Sequence, residues 1–301
     1  ACAAGIAPMH VGSDGAGSIR IPAAFTGVFG LKPSFGRVPA HPPSPMGLLA
    51  HIGPMTRTVA DAALMLSAIS GADYRDPYAL PPGSKSYLDE LEGGVRGWRI
   101  AYSPTLGYAT VDSEIAQAAA EAARCFETLG ATVEEVDGIF PSPRETLFTL
   151  WAAGAAKLLA GFPSERREIV DPGLIATAAE GRRIGAVDYL GADLVRTTLG
   201  RQMAEFHRKY DLLLTPMMPI PALPVGQDVN DPATERHWID WSPFSYPFNL
   251  TRQPAASIPC GLTTAGLPIG LQIVGPLYAD DRVLRAARAF EQTQPIRRPP
   301  L

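Results

Sequence analysis

Cysteine is scarce in this 301-residue sequence, and Cys2, Cys125 and Cys260 are too scattered for a disulfide framework or a zinc site. They read as buried thiols kept in a reducing compartment, which points to the cytoplasm. Basic clusters are missing and the net charge is -4, which argues against a nucleic-acid surface. No apolar run reaches the ~18 residues that would raise a membrane span. The first ten residues, A-C-A-A-G-I-A-P-M-H, contain no basic n-region and no cleavage pattern, so they do not read as a signal peptide. Small residues leading to Gly5 and Pro8 read as the tail of a helix whose beginning lies upstream. The chain is expected to lack the N-terminal part of its fold.

What is present is the composition of a soluble globular protein, 46% apolar and 19% charged, long enough to bury a substantial core. The 30 prolines predict long, stiffened connections. No repeat, low-complexity linker or composition shift divides the chain, so residues 1–301 read as one domain.

Strand and helix signals alternate. Thr58 caps a helix that runs to Ser70, with Asp61 placed to return the capping bond and Val59, Ala62, Leu66 and Ile69 as its buried stripe. Residues 99–103 read as a strand, residues 112–130 as a helix capped by Asp112, and residues 131–136 as a second strand. That order is a βαβ unit with a parallel pair. Helices are predicted at 146–159, 186–210 and 281–293, and strands at 210–216, 255–259 and 270–275. The glycine-punctuated apolar stretch at 23–39 predicts short strands and turns. The expected fold is α/β, with a mixed, largely parallel central sheet covered by helices on both faces.

The most flexible dozen residues are V-G-S-D-G-A-G-S-I-R-I-P, at 11–22. Glycines at 12, 15 and 17 have the wrong spacing for a dinucleotide cradle, and Ser18-Ile19 after the last glycine excludes a P-loop. Two readings stand. One is a tight turn with an incidental serine. In the other, the consecutive N–H groups of Gly15, Ala16, Gly17 and Ser18 form a concavity able to hold an oxyanion during acyl transfer. Asp14 and Arg20 flank the loop and read as its braces.

These residues resemble the amidase signature family. G-S-D-G-A-G-S-I-R-I-P-A-A-F-T-G-V-F-G-L-K-P-S-F-G-R-V-P, at 12–39, is similar to the family's glycine/serine signature. H-I-G-P-M-T-R-T-V-A-D-A-A, at 51–63, resembles its next motif, and the stretches at 247–261 and 266–272 resemble its C-terminal signature. The matching is weak between about residues 140 and 210.

The resemblance implies an enzyme acting on carboxylic amides, with Ser18 as nucleophile and the backbone of Gly15, Ala16, Gly17 and Ser18 as oxyanion donors. It implies a lysine base acting through a second serine, both upstream of Ala1, so the isolated chain is expected to be inactive. Lys32, Lys85, Lys157 and Lys209 match no such motif. His10, His41, His51, His207 and His237 carry no local signature of a replacement base and read as surface or hydrogen-bonded side chains. No metal or organic cofactor is implied. The expected partner is a small-molecule amide, with neither nucleic acid nor membrane, and at most a second copy of the chain. Trp151, Trp238 and Trp241 read equally as pocket liners and as core aromatics. Two rival functions stand beside the amidase: the glutaminase component of a tRNA-dependent amidotransferase (its A subunit), and a non-catalytic scaffold relative. The aromatic segment at 238–244 resembles stand-alone amidases more than that component.

Overall fold

Strands alternate with helices along the chain and join one eight-stranded sheet. The computed structural model describes residues 1–81, 83, 86–294 and 296. Its strands are β1 (Met9–Asp14), β2 (Phe29–Lys32), β3 (His51–Thr56), β4 (Arg99–Tyr102), β5 (Thr132–Glu135), β6 (Leu212–Pro216), β7 (Ala255–Leu262) and β8 (Pro268–Val274). The helices are α1 (Arg20–Thr26), α2 (Val59–Ile69), α3 (Ser113–Thr128), α4 (Arg144–Ala160), α5 (Pro172–Gly181), α6 (Ala186–Phe206), α7 (Pro247–Leu250) and α8 (Asp280–Thr293). The strand order is β1-β3-β2-β7-β8-β6-β4-β5.

The mixed α/β architecture matches expectation, but the sheet is not largely parallel. Only β6-β4 and β4-β5 pair in parallel, while the other five pairings are antiparallel. A parallel pair needs a long crossover, which the segment carrying α3 supplies between β4 and β5. Antiparallel neighbours need only a short return, such as the turn at 263–267 between β7 and β8.

Side chains alternate across the strands, and each face is covered. On one face Leu31, Ile100, Leu212, Leu214, Ile258 and Ile273 pack beneath α2, α3 and α8. On the other, Ala101, Leu213, Ala255 and Val274 meet α4, α6 and α7. The short helix α1 lies on this second face, so close to β8 that a Cβ at Gly270 would stand 2.8 Å from that of Ala24.

Local signals hold where chemistry fixes them. Asp112 caps α3 through the N–H groups of Glu114 (2.8 Å) and Ile115 (3.5 Å). The Thr58 hydroxyl accepts from the Asp61 N–H at 3.1 Å. The Val59 N–H donates to Glu291 of α8, so a tertiary contact takes a donor at this helix start. Several elements depart from the sequence reading. Residues 23–26, expected among short strands and turns, are helical, β1, β3, α5 and α7 form where no element was assigned, and α6 ends at Phe206, short of residue 210.

At the end of α6 the His207 imidazole donates through Nδ1 to the Tyr210 carbonyl at 3.0 Å, and burial pushes its pKa down to about 4. The unfolded chain, near 6.5, therefore takes up this proton first. Stability contributed by neutral His207 is present above 6.5 and falls as pH drops from 6.5 toward 4. Thermal melting across that window should show this slope, and His207→Gln should flatten it. An unchanged slope would mean that His207 is not buried in its neutral form.

Candidate functional site

Strand β1 ends at Asp14, α1 begins at Arg20, and the glycine loop spans the gap between them. Asp14, Arg20, Asn249, Ser245 and Gln272 are all fully buried beneath this loop. Arg20 is the bond centre of the group. Its Nε and Nη2 donate to the Asp14 carboxylate at 2.9 and 3.0 Å. Nη1 reaches the Ser245 carbonyl and Gln272 Oε1, each at 2.8 Å, and Nη2 also reaches Asn249 Oδ1 at 2.5 Å. All five donors of the guanidinium are satisfied.

Asp14 is held as completely. Besides Arg20 it accepts from the Gly17 N–H (2.7 Å), the Ile19 N–H (3.3 Å) and the Asn249 amide (2.9 Å). Burial opposes its ionisation, but the charge and hydrogen bonds of Arg20, with Asn249, outweigh burial and hold the carboxyl well below the usual range. The structure brings Asp14 and Arg20, expected as braces, together beneath the loop, with Asp14 bonded to the loop backbone at Gly17 and Ile19.

The loop above the brace has little freedom. Gly17 adopts φ 139°, and a Cβ there would fall 2.5 Å from Ile21 Cδ1 and 2.9 Å from Ser245 Cβ. No other residue fits. Ala16 keeps a negative φ, so its methyl brings no backbone strain, and it packs into the core with Leu49, Leu147 and Leu150. A Cβ at Gly15 would stand 2.9 Å from Cζ3 of Trp151, whose indole lies directly on the loop.

Ser18 is exposed while Ala16, Gly17, Ile19 and Arg20 around it are buried. Among the described residues its hydroxyl has no hydrogen-bond partner, and the N–H groups of Gly15, Ala16 and Ser18 have no protein acceptor. The Gly17 N–H differs from the expected set of four. It points at Asp14 because the positive φ of Gly17 turns its peptide inward.

No described lysine or histidine bonds to Ser18. Lys32 is fully buried, and its ammonium nitrogen meets the carbonyls of Gln253 and Pro33. Burial and the nearby Arg20 charge push its pKa well down. His51, opposite Asp14 in the β1–β3 register, donates through Nδ1 to the Leu49 carbonyl at 2.8 Å. Burial, then Lys32, depresses its pKa strongly, so it stays neutral. His10 meets the Ala7 carbonyl and His237 faces Glu180. Lys157 lies in the last turn of α4, Lys209 beside Tyr210, and Lys85 outside the described residues.

The three tryptophans weighed as pocket liners separate. Trp151 and Trp238 form an edge-to-face pair at 5.2 Å against the loop, while Trp241 turns away to Phe25 and the Asp228 carbonyl. Asn249, Gln272 and Ser245 carried no role in the sequence reading. A signal existed for two of them: Gln272 interrupts the apolar run of β8, and Asn249 sits between Phe248 and Leu250.

Comparison with known proteins gives the family of the chain. A family model described as amidase matches residues 1–284. An acylamidase of Rhodococcus erythropolis is 37% identical over 309 residues, covering 98% of this chain and 63% of its own length. The A subunit of the glutamyl-tRNA(Gln) amidotransferase of Ligilactobacillus salivarius is 35% identical over 324 residues, covering 97% and 65%. The crystal structure of a bacterial aryl acylamidase of the amidase signature family superposes with a TM-score of 0.88 at 34% identity, covering 98% of this chain and 64% of that one. The chain thus spans about two thirds or slightly less of the length of these relatives.

Arg20→Ala orphans a buried carboxylate, and breaking such a pair costs about 3–5 kcal/mol. Chemical denaturation should register that loss, with Arg20→Lys recovering only part of it because an ammonium cannot reproduce the planar fork. An Arg20→Ala protein of unchanged stability would show that the pair is not a brace.

Proposed function

The chain belongs to the amidase signature family, and from that premise we propose that it carries the nucleophile of a serine amidase. The observation that carries the reading is Ser18 itself, an exposed and unpartnered hydroxyl at the lip of three N–H groups that have no acceptor. Ser18 Oγ attacks the carbonyl carbon of a carboxylic amide. The oxygen that gains charge is met by the N–H groups of Gly15, Ala16 and Ser18, and such preorganised donors are typically worth ~3–4 kcal/mol of barrier. The Ser18 proton passes through a base to the amine nitrogen as the C–N bond breaks, leaving an acyl ester. Water then releases the carboxylic acid and restores the serine.

The base is proposed to be a lysine acting through a bridging serine, both outside residues 1–301. The engagement of Lys32 and His51 elsewhere supports this. The Trp151–Trp238 pair against Gly15 favours substrates with an aromatic or apolar group beside the amide. The name of one relative makes it a component of an amidotransferase, which keeps ammonia transfer to a partner as the second reading. Ammonia release from glutamine only on addition of partner proteins would favour that reading. Free cysteines at 2, 125 and 260 fit a cytoplasmic setting.

In the full-length protein Ser18→Ala should abolish amide hydrolysis with the fold intact by circular dichroism. Retention of more than about a tenth of wild-type turnover, ~1.4 kcal/mol of barrier, would sink the assignment. Residues 1–301 expressed alone should show no Ser18-dependent turnover of aryl or alkyl amides. Clear turnover from the folded fragment would place a base within this sequence. Trp151→Ala should lower kcat/KM for aryl amides up to about tenfold more than for small alkyl amides, in line with the ~0.5–1.5 kcal/mol of an aromatic contact. Equal losses on both would remove the aromatic wall from the account.

A further inference from the structure

The N–H groups of Gly15, Ala16 and Ser18, which have no protein acceptor among the described residues, keep their direction only if the peptide planes between them are fixed. A trans peptide turns as one rigid unit, so holding its carbonyl also aims its N–H. The plane joining Gly17 and Ser18 is held by α1, where the Ile21 N–H donates to the Gly17 carbonyl at 2.7 Å. The preceding plane, joining Ala16 and Gly17, is held at both ends. Its N–H donates to Asp14 Oδ1 at 2.7 Å, and its carbonyl accepts from the Ser245 hydroxyl at 2.6 Å.

The Ser245 bond is unusual in what it leaves without an alternative. Ala16 is 1% exposed, and among the described residues the Ser245 hydroxyl is the only donor to its carbonyl. That hydroxyl also lies 3.0 Å from the Ser242 carbonyl, but Ser242 already accepts from the Ser245 N–H at 3.2 Å. One proton with two acceptors goes to the nearer, otherwise unsatisfied one. Ser245 is also fully buried, its own carbonyl accepts from Arg20 Nη1, and its Cβ packs where Gly17 leaves space. The residue therefore reads the position of Arg20 through its backbone and sets the loop through its side chain.

We infer that Ser245 is a positioning residue for the reaction: its hydroxyl, bonded to the Ala16 carbonyl, fixes the peptide between Ala16 and Gly17 and so limits rotation of the two flanking peptides, which carry the Ala16 and Ser18 N–H groups proposed to meet the developing oxyanion. This rests on the reading of Ser18 as nucleophile. Loss of the hydroxyl leaves this plane held only through the Gly17 N–H on Asp14, so it can pivot about that bond while the loop stays threaded through Asp14 and α1. The groups that bind the ground-state amide remain, while the donors specific to the transition state lose alignment.

The test uses the full-length protein, with Ser245→Ala, Ser245→Thr and Ser18→Ala measured below the melting temperature of each. Ser245→Ala should lower kcat at least about tenfold, short of the 10²–10³ that follows deletion of an oxyanion donor, with KM within about threefold. A trifluoromethyl ketone, which adds to the serine as a tetrahedral adduct, should lose affinity in the same proportion as kcat. Ser245→Thr, which keeps the hydroxyl, should return kcat to within about threefold. A structural role alone would lower the melting temperature and leave both kcat and the ketone's affinity in place, which would overturn the inference. A rise in KM with kcat unchanged would overturn it as well. Should Ser245→Ala not fold, Ser245→Thr decides: a tenfold loss of kcat in the folded threonine variant counts against the hydroxyl. The Ser18→Ala arm separates the two claims. Turnover surviving Ser18→Ala removes the nucleophile and this inference together, whereas an inert Ser18→Ala beside a fully active Ser245→Ala removes only the role of Ser245.

Discussion

The guanidinium of Arg20 is the constraint on which the loop depends. A buried ion pair recovers its desolvation cost only when the remaining donors and lone pairs also find partners. Here every N–H of Arg20 has one, drawn from β1, the loop before α7, α7 itself and β8. Those partners lie 6 to 252 residues away in sequence. The bonds that hold the loop therefore exist only where α7 and β8 are in place.

The same dependence explains the antiparallel centre of the sheet. Gln272 must face the same side as Lys32 and Ser257 for its carbonyl oxygen to reach Arg20, and the register of β8 against β7 sets Gln272 opposite Ser257. A slip of one residue would turn Gln272 into the apolar layer under α3 and α8 and send Leu271 or Ile273 toward the guanidinium. The Gln272 amide nitrogen is itself anchored to the Thr215 hydroxyl and the Phe244 carbonyl. Register is thus enforced by polar bonding as well as by the greasy face.

How much of this could be read beforehand follows from the range of each interaction. The glycine loop, the acid before it and the arginine after it lie within seven residues, so their spacing carries their geometry. The cap at Asp112 and the β4–α3–β5 unit are local for the same reason. What escaped was set at a distance. Residues 20–26 carry β-branched Ile21 and cyclic Pro22 near their start and are followed by Gly27, and they are helical because α1 must pack its Ala23 and Ala24 on Gly30 and Gly270. The pairing sense of the sheet depends on which strands become neighbours, which no local pattern encodes. Ser245 is invisible on its own, a serine among aromatics whose value comes from Ala16, more than two hundred positions earlier.

Electrostatics beneath the loop answers a difficulty that the geometry creates. Asp14 keeps its charge, because Arg20 and Asn249 outweigh the penalty of burial. In the proposed reaction, an uncompensated Asp14 carboxylate beneath the loop would repel the negative charge that acyl transfer builds above it. Arg20 neutralises Asp14 at the level of net charge, while the N–H groups of Gly15, Ala16 and Ser18 have no protein acceptor among the described residues. Burial, with the Arg20 charge as a further cause, lowers the pKa of Lys32, and burial with the Lys32 charge lowers that of His51. Beneath the loop the Asp14–Arg20 pair is matched charge for charge, and His51 beside it is neutral. In the proposed reaction that matching keeps the Asp14 charge from opposing the backbone dipoles.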